Sequence, residues 1–224
     1  MAWPSTEKLR IEMNVNMLTV NPFGENMYIL WDETSHEAAV VDPGMMRDAE
    51  RDMVTKIITD NHLKVKHVLL THLHIDHITG ARWLADQTGA DVCGSMLDAQ
   101  LGRDLPEQIA LFGINIECDA LIIDRNLADG DILTLGNETI QVLHVPGHSP
   151  GGLAFYLPDS GLLISGDTIF NGSVGRTDLW GGDMAQLINS IREQILPLPD
   201  GTVIASGHGP TTTVADEKQF NPFL

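Results

Sequence analysis

A chain of 224 residues with 43% hydrophobic content and a mean hydropathy of −0.01 is long enough to bury one sizeable core while staying in water. Its 31 acidic and 13 basic side chains leave a formal charge of −18, which excludes a surface built to hold a phosphate backbone, because that affinity comes from lysine and arginine. Cysteine stands only at Cys93 and Cys118, in no CxxC spacing, so neither a disulfide scaffold nor a thiolate zinc site is expected.

Residues 1–16 carry Glu7, Lys8, Arg10 and Glu12 and no unbroken apolar stretch, so the sequence predicts neither a signal peptide nor a membrane span, and a cytoplasmic location. Short apolar or alternating runs predict strands at 17–20, 26–31, 38–41, 67–70, 92–93 and 121–123, then at 132–135, 139–144, 153–157, 162–165 and 203–205. Helical periodicity predicts helices over 46–61, 78–87 and 184–195. Residues 94–119 have the least regular pattern and are expected to form a flexible wall. Each half supplies several strands and then a helix or two, without regular βαβ alternation. That pattern implies one α/β (α+β) domain over residues 1–224, with sheets packed together under outer helices.

The chemistry concentrates in His72-Leu73-His74-Ile75-Asp76-His77, directly after the apolar run Val68-Leu69-Leu70. Imidazoles and a carboxylate packed this tightly each need a polar partner, and a metal ion serves them together. An extended chain turns alternate side chains the same way, so His72 and His74 converge on one ion and Asp76 and His77 turn toward another. Three further segments place a ligand-type residue at a glycine-rich strand exit: Pro146-Gly147-His148-Ser149, Ser165-Gly166-Asp167-Thr168 and Ser206-Gly207-His208-Gly209. Together they give seven nitrogen and oxygen donors, enough for two ions sharing one carboxylate with an open position for water. His144 lies on an apolar strand and reads as a hydrogen-bonded core histidine or a support for a ligand, while His36, His62 and His67 read as surface residues. Asp42, in Val41-Asp42-Pro43-Gly44, is either a turn former or an acceptor for a ligand imidazole.

These segments, in this order, resemble the metallo-β-lactamase fold hydrolases, whose signature is HxHxDH. The stretches Gly166-Asp167-Thr168-Ile169-Phe170, Gly175-Arg176-Thr177-Asp178, Ser206-Gly207-His208-Gly209-Pro210 and Asn221-Pro222-Phe223-Leu224 resemble the short, single-domain branch of glyoxalase II, hydroxyacylglutathione hydrolase. The resemblance implies a four-layer αββα sandwich with the site at one edge of the sheets. It assigns His72, His74 and His148 to a first metal, Asp76, His77 and His208 to a second, and Asp167 to the bridge. It also implies hydrolysis of a thioester, S-D-lactoylglutathione or a related hydroxyacyl thioester, by a metal-bridging hydroxide that Asp76 orients. The ions are expected to be zinc, with iron or manganese as alternatives, and the partner a small molecule rather than nucleic acid or membrane, acted on by a monomer or small homo-oligomer.

The chain ends sixteen residues after His208, so the additional C-terminal helical region with which larger glyoxalase II enzymes bind glutathione is expected to be absent. Arg176 stands where those enzymes offer a lysine, and it is either a fork-shaped binder of a substrate carboxylate or the ion-pair partner of Asp178. Residues 71–80 and 175–178 also resemble the persulfide dioxygenases, which hold one iron with two histidines and an aspartate. A lactonase of the same fold is a further alternative, and a non-catalytic module would be expected to have lost ligands that are all present here.

Overall fold

The structure is a computed structural model and describes residues 13–224; the expectation for the N-terminal segment falls largely on residues 1–12, outside the described residues. The first sheet is built from β1 (Met13–Val20), β2 (Glu25–Asp32), β3 (Glu37–Val41), β4 (Lys64–Leu69), β5 (Asp91–Gly94) and β6 (Arg125–Asn126), in that spatial order. Helix α1 (Asp48–Asp60) crosses from β3 to β4, and α2 (Ile75–Ile78) and α3 (Ala81–Thr88) cross from β4 to β5. Between β5 and β6 lie a single 3₁₀ turn (Met96–Asp98), α4 (Ala99–Arg103) and α5 (Leu105–Leu111). The second sheet holds β7 (Ile132–Leu135), β8 (Glu138–His144), β9 (Leu153–Leu157), β10 (Leu162–Gly166), β13 (Val203–Ser206) and β14 (Thr212–Thr213), in the spatial order β14-β13-β10-β9-β8-β7. A small hairpin of β11 (Ile169–Phe170) and β12 (Ser173–Val174) follows β10, then α6 (Met184–Ser190) and, after β14, α7 (Val214–Phe220).

Successive residues of a strand face opposite sides, and the strands here are apolar on both, so each sheet is covered twice. Met27, Ile29, Val40 and Val68 join Val54 of α1 and Leu84 of α3 in a core outside the first sheet. Their neighbours Tyr28, Leu30, Val41 and Leu69 meet Ile140, Val142, Phe155 and Ile164 between the sheets. Ala154, Tyr156, Leu163 and Ile204 turn the other way, onto Leu187 and Ile191. Three apolar layers separate four structural ones, as the αββα expectation requires.

Four local expectations need correction. Residues 121–123 alternate into the core but form no strand: the Leu121 N–H donates to the Gly102 carbonyl at 2.8 Å, and sheet pairing starts only at Arg125. Residues 94–119 are not irregular throughout, because Ser95 caps the 3₁₀ turn and Pro106 sits in the first turn of α5. The helix expected over 78–87 is two, since the Gly80 N–H donates to the Pro43 carbonyl at 2.8 Å instead of continuing α2. Likewise the helix over 184–195 changes register after Ser190, where residues Ile191–Ile195 form a π turn. Among the described residues no helix is long and apolar enough to cross a membrane.

Phe155 is fully buried between the sheets. Phe155→Ala is expected to lower unfolding free energy by about 3–5 kcal/mol through lost burial and the cavity left behind, measured by denaturant titration; a loss under about 1 kcal/mol would contradict this packing.

Candidate metal centre

Every ligand-type residue predicted from the sequence sits where a strand releases the chain at one edge of the sandwich. β3 and β4 run parallel, as do β10 and β13, so the exits that carry Asp42, His72, Asp167 and His208 open on the same side. The His148 turn between β8 and β9 closes the ring. The single turn of α2 begins right after His74 and swings Asp76 and His77 inward.

The outer nitrogens of three imidazoles are tied down, and their partners decide where the protons lie. His148 Nδ1 donates to the Arg176 carbonyl at 2.7 Å, an atom that can only accept. His77 Nδ1 donates to Asp42 Oδ2 at 3.0 Å. The Thr71 hydroxyl gives its proton to the same Asp42 oxygen at 2.5 Å and so accepts from His72 Nδ1 at 3.0 Å. His72 and His148 therefore turn a bare Nε2 into the site, and His77 presents its Nε2 to the Asp76 and Asp167 carboxylates. His148 Nε2 lies 3.2 Å from His72 Nε2 and 2.9 Å from His74 Nδ1. Bare lone pairs at such distances repel unless a cation lies among them.

The remaining donors form a second group. His208 Nε2 is 3.2 Å from Asp76 Oδ2, and His77 Nε2 is 3.8 Å from that same oxygen. Asp167 faces both groups: its Oδ1 is 3.4 Å from His77 Nε2, and its Oδ2 is 3.6 Å from His208 Nε2 and 3.8 Å from His148 Nε2. His77 Nε2 and Asp167 Oδ1 are buried without a hydrogen-bond partner, as is His74 Nε2. His72, His74 and His148 could hold a metal ion, and so could Asp76, His77 and His208. Asp42, His72 and His77 also cluster, but Asp42 is engaged by Thr71 and His77 and serves as their support.

Electrostatics favours a cation here. Burial holds the His72 imidazole well below its ordinary value and lowers His74 to about 3, so both are neutral donors. Burial also opposes charge on His77, but Asp167, Asp76 and Asp42 outweigh it and raise that ring well above its ordinary value. Burial pushes the Asp167 carboxyl up, and His77 with His148 and His208 pulls it far below the usual carboxylate range. Glu25 is fully buried beside the same groups, neither of its oxygens has a hydrogen-bond partner among the described residues, and burial drives its carboxyl well above the usual carboxylate range.

Several supporting residues carried no sequence motif. Asp98, fully buried, accepts from Ser149 Oγ at 2.7 Å, the Gly151 N–H at 2.6 Å and the Leu73 N–H at 3.3 Å, tying the His148 turn to the His72–His74 segment. Asn26 donates from Nδ2 to the Gly209 carbonyl at 2.8 Å, and the Tyr28 hydroxyl to the Ser206 carbonyl at 2.7 Å, fixing the turn that carries His208. Two glycines are demanded by close approach: a Cβ on Gly44 would overlap the Asp76 carbonyl, and one on Gly207 would overlap the Asp167 carboxylate. His144 is half-buried and bonded to the Pro150 carbonyl at 3.0 Å. His62 is exposed, whereas His36 and His67, expected at the surface, are half-buried. Arg176 is exposed and forks onto Asp178 with two bonds of 2.7 Å, an arrangement that holds the Asp178 carboxyl down to about 2. A cavity of about 730 Å³ opens over His74, Asp76, His148, Asp167 and His208.

Residues 20–208 match the model of the metallo-β-lactamase superfamily, and the chain belongs to that family. It is a hydrolase of that superfamily, and its fold is the metallo-β-lactamase fold. It is 40% identical over 215 residues to a protein of Haemophilus influenzae named hydroxyacylglutathione hydrolase GloC, spanning 95% of this chain and 98% of that one. Among solved structures it is similar to the B3 metallo-β-lactamase BLEG-1, with a TM-score of 0.85 and 37% identity over 94% of this chain and 99% of the other. It is also similar to TTHA1623 in a di-iron-bound form, with a TM-score of 0.81 and 36% identity over 94% and 100% of the two chains.

Asp98→Ala is expected to weaken metal binding roughly 10- to 100-fold, as loss of a ligand's support does. Competition against a chelating dye measures this, and an unchanged affinity would show that Asp98 does not position the cluster. Gly44→Ala is expected to displace the Asp76 carbonyl and lower the thermal midpoint of the metal-loaded protein by roughly 4 °C or more, read in a melting curve against the parent.

Proposed function

We propose that the protein is a binuclear, metal-dependent thioester hydrolase acting on hydroxyacylglutathione-type substrates, S-D-lactoylglutathione among them. In this reading His72, His74 and His148 hold one divalent ion, Asp76, His77 and His208 the other, and Asp167 lies between them. Zinc, iron and manganese all suit such imidazole and carboxylate donors, with zinc the expected occupant. The observation that carries the reading is Asp167, whose two oxygens face imidazoles of both groups at 3.4 to 3.8 Å. The substrate class is supported by the likeness to the Haemophilus enzyme over nearly the full length of both chains.

Divalent ions bound there supply Lewis acidity, lowering the pKa of a water toward neutrality and polarising a carbonyl oxygen. The protein's own part is orientation. Asp76 lines the cavity, and although burial pushes its carboxyl up, His77 and His208 bring it below the ordinary value, so it is ionised at neutral pH. It accepts an O–H of the attacking water and turns the water's lone pair toward the thioester carbonyl. The outward protons on His72 and His148 leave neither ring an N–H competing for that water. Burial raises the Cys93 thiol to about 11, which leaves no thiolate there for a covalent route. Arg176, in the cavity wall, binds a substrate carboxylate to the extent that Asp178 releases it.

The metal-replete protein is expected to contain about two metal equivalents per chain and to release thiol from S-D-lactoylglutathione, followed with a thiol reagent. Absence of thiol release would overturn the reading, and oxygen uptake with glutathione persulfide by iron-loaded protein would replace it with a dioxygenase. His208→Ala is expected to reduce the metal content to about one equivalent and turnover by more than the roughly 10- to 100-fold that loss of a supporting bond costs.

A further inference from the structure

The cavity over the cluster has largely apolar walls, and the one arginine in its lining among the described residues is already engaged. On one side the Phe23 and Phe112 rings meet edge-on, 5.4 Å between centroids at 89°, with Leu111 beside them. Phe170 and Trp180 stand in the lining as well. Leu111, Phe112 and Trp180 remain 82%, 46% and 52% exposed, apolar area left in water at the mouth of a reaction site. The polar side chains of the wall are largely occupied. Gln108 accepts from the Ile75 N–H at 3.1 Å and donates to the Leu101 carbonyl at 2.8 Å. Arg176, the only lysine or arginine lining the cavity among the described residues, is forked onto Asp178.

A glutathione arm brings two carboxylates, which here would meet a chain of charge −18 and, among the described residues lining the cavity, no unpaired guanidinium. On the other side of the thioester, an uncharged apolar acyl arm would cover Phe112, Leu111 and Trp180. Resting on the thioesterase reading, we propose that within that class this site favours thioesters whose acyl arm is apolar and uncharged, and that the Arg176–Asp178 pair, by withholding the wall's arginine from an anionic thiol arm, sets turnover of glutathione thioesters below that of their neutral-thiol counterparts.

The test has two arms. In the first, kcat/KM is measured for acetyl, butanoyl and hexanoyl thioesters of N-acetylcysteamine, a neutral thiol, and of glutathione. On the neutral thiol it is expected to rise by about fourfold per added methylene until the cavity fills, and Trp180→Ala is expected to flatten that rise. Asp178→Asn is expected to raise the glutathione-to-neutral ratio roughly two- to fivefold, with Asp178→Glu restoring the parent ratio. A flat chain-length profile, or a ratio that Asp178→Asn does not move, overturns the proposal while leaving the thioesterase reading intact. In the second arm, calorimetry compares non-hydrolysable S-methyl and S-hexyl thioethers of N-acetylcysteamine. Tighter binding of the hexyl compound without turnover of any thioester would overturn the thioesterase reading and support the apolar wall, and equal binding of the two overturns the wall.

Discussion

The Asp42 carboxylate accepts from the Thr71 N–H at 2.7 Å, from the Thr71 hydroxyl and from His77 Nδ1, and so joins the end of β3 to the exit of β4 and to the turn of α2. Its backbone has φ of 49°, a left-handed conformation that costs any residue with a side chain and that aspartate tolerates better than most. Through these bonds one anion fixes the tautomers of two imidazoles. His77 is oriented directly, and His72 through the Thr71 hydroxyl, so both turn Nε2 toward the same interior. Were Asp42 lost, a buried ring would be free to turn its proton inward, and the two donor groups would no longer match a cation.

That anchoring works because the sheets deliver their ends to one place. In the first sheet β3 and β4 are parallel, and in the second β10 and β13 are parallel, so four chain exits reach the same edge without long excursions. The backbone bond from Asn26 N–H to the Gly207 carbonyl, 2.7 Å long, then links the two sheets beside His208. A buried set of imidazoles and carboxylates is costly to assemble, and here the cost is offset by apolar layers on both faces of each sheet, which hold the exits rigidly.

The donors were legible in the sequence because each is a polar residue in a short, glycine-marked exit from an apolar strand, and because four of them fall within six residues. Asn26, Tyr28 and Asp98 were not. Asn26 and Tyr28 lie inside a run that reads simply as a strand, and their polar atoms find partners about 180 residues away, a separation that no local pattern reveals. Asp98 lies in a stretch whose glycine and proline suggest irregularity, although tertiary contacts with the His72–His74 segment organise it into short helices. Leu121 and Ile123 failed in the opposite way: their alternation reports burial, which a loop bonded to Gly102 achieves as well as a strand.

The cluster and the apolar side of the cavity are drawn from different parts of this chain. The donors come from strand exits held by sheet pairing, whereas Leu111, Phe112 and Trp180 come from the connections after β5 and β12. Gln108 is tied to both, since it lines the cavity and accepts from the Ile75 N–H at 3.1 Å. Arg176 is tied to both as well, because its side chain lines the cavity and forks onto Asp178 while its carbonyl holds the His148 proton at 2.7 Å. A change that redirects the guanidinium alone breaks the fork onto Asp178 and leaves the His148 bond in place. One that shifts the backbone at Arg176 also frees His148 Nδ1, and the cluster loses the bond that keeps His148 Nε2 bare.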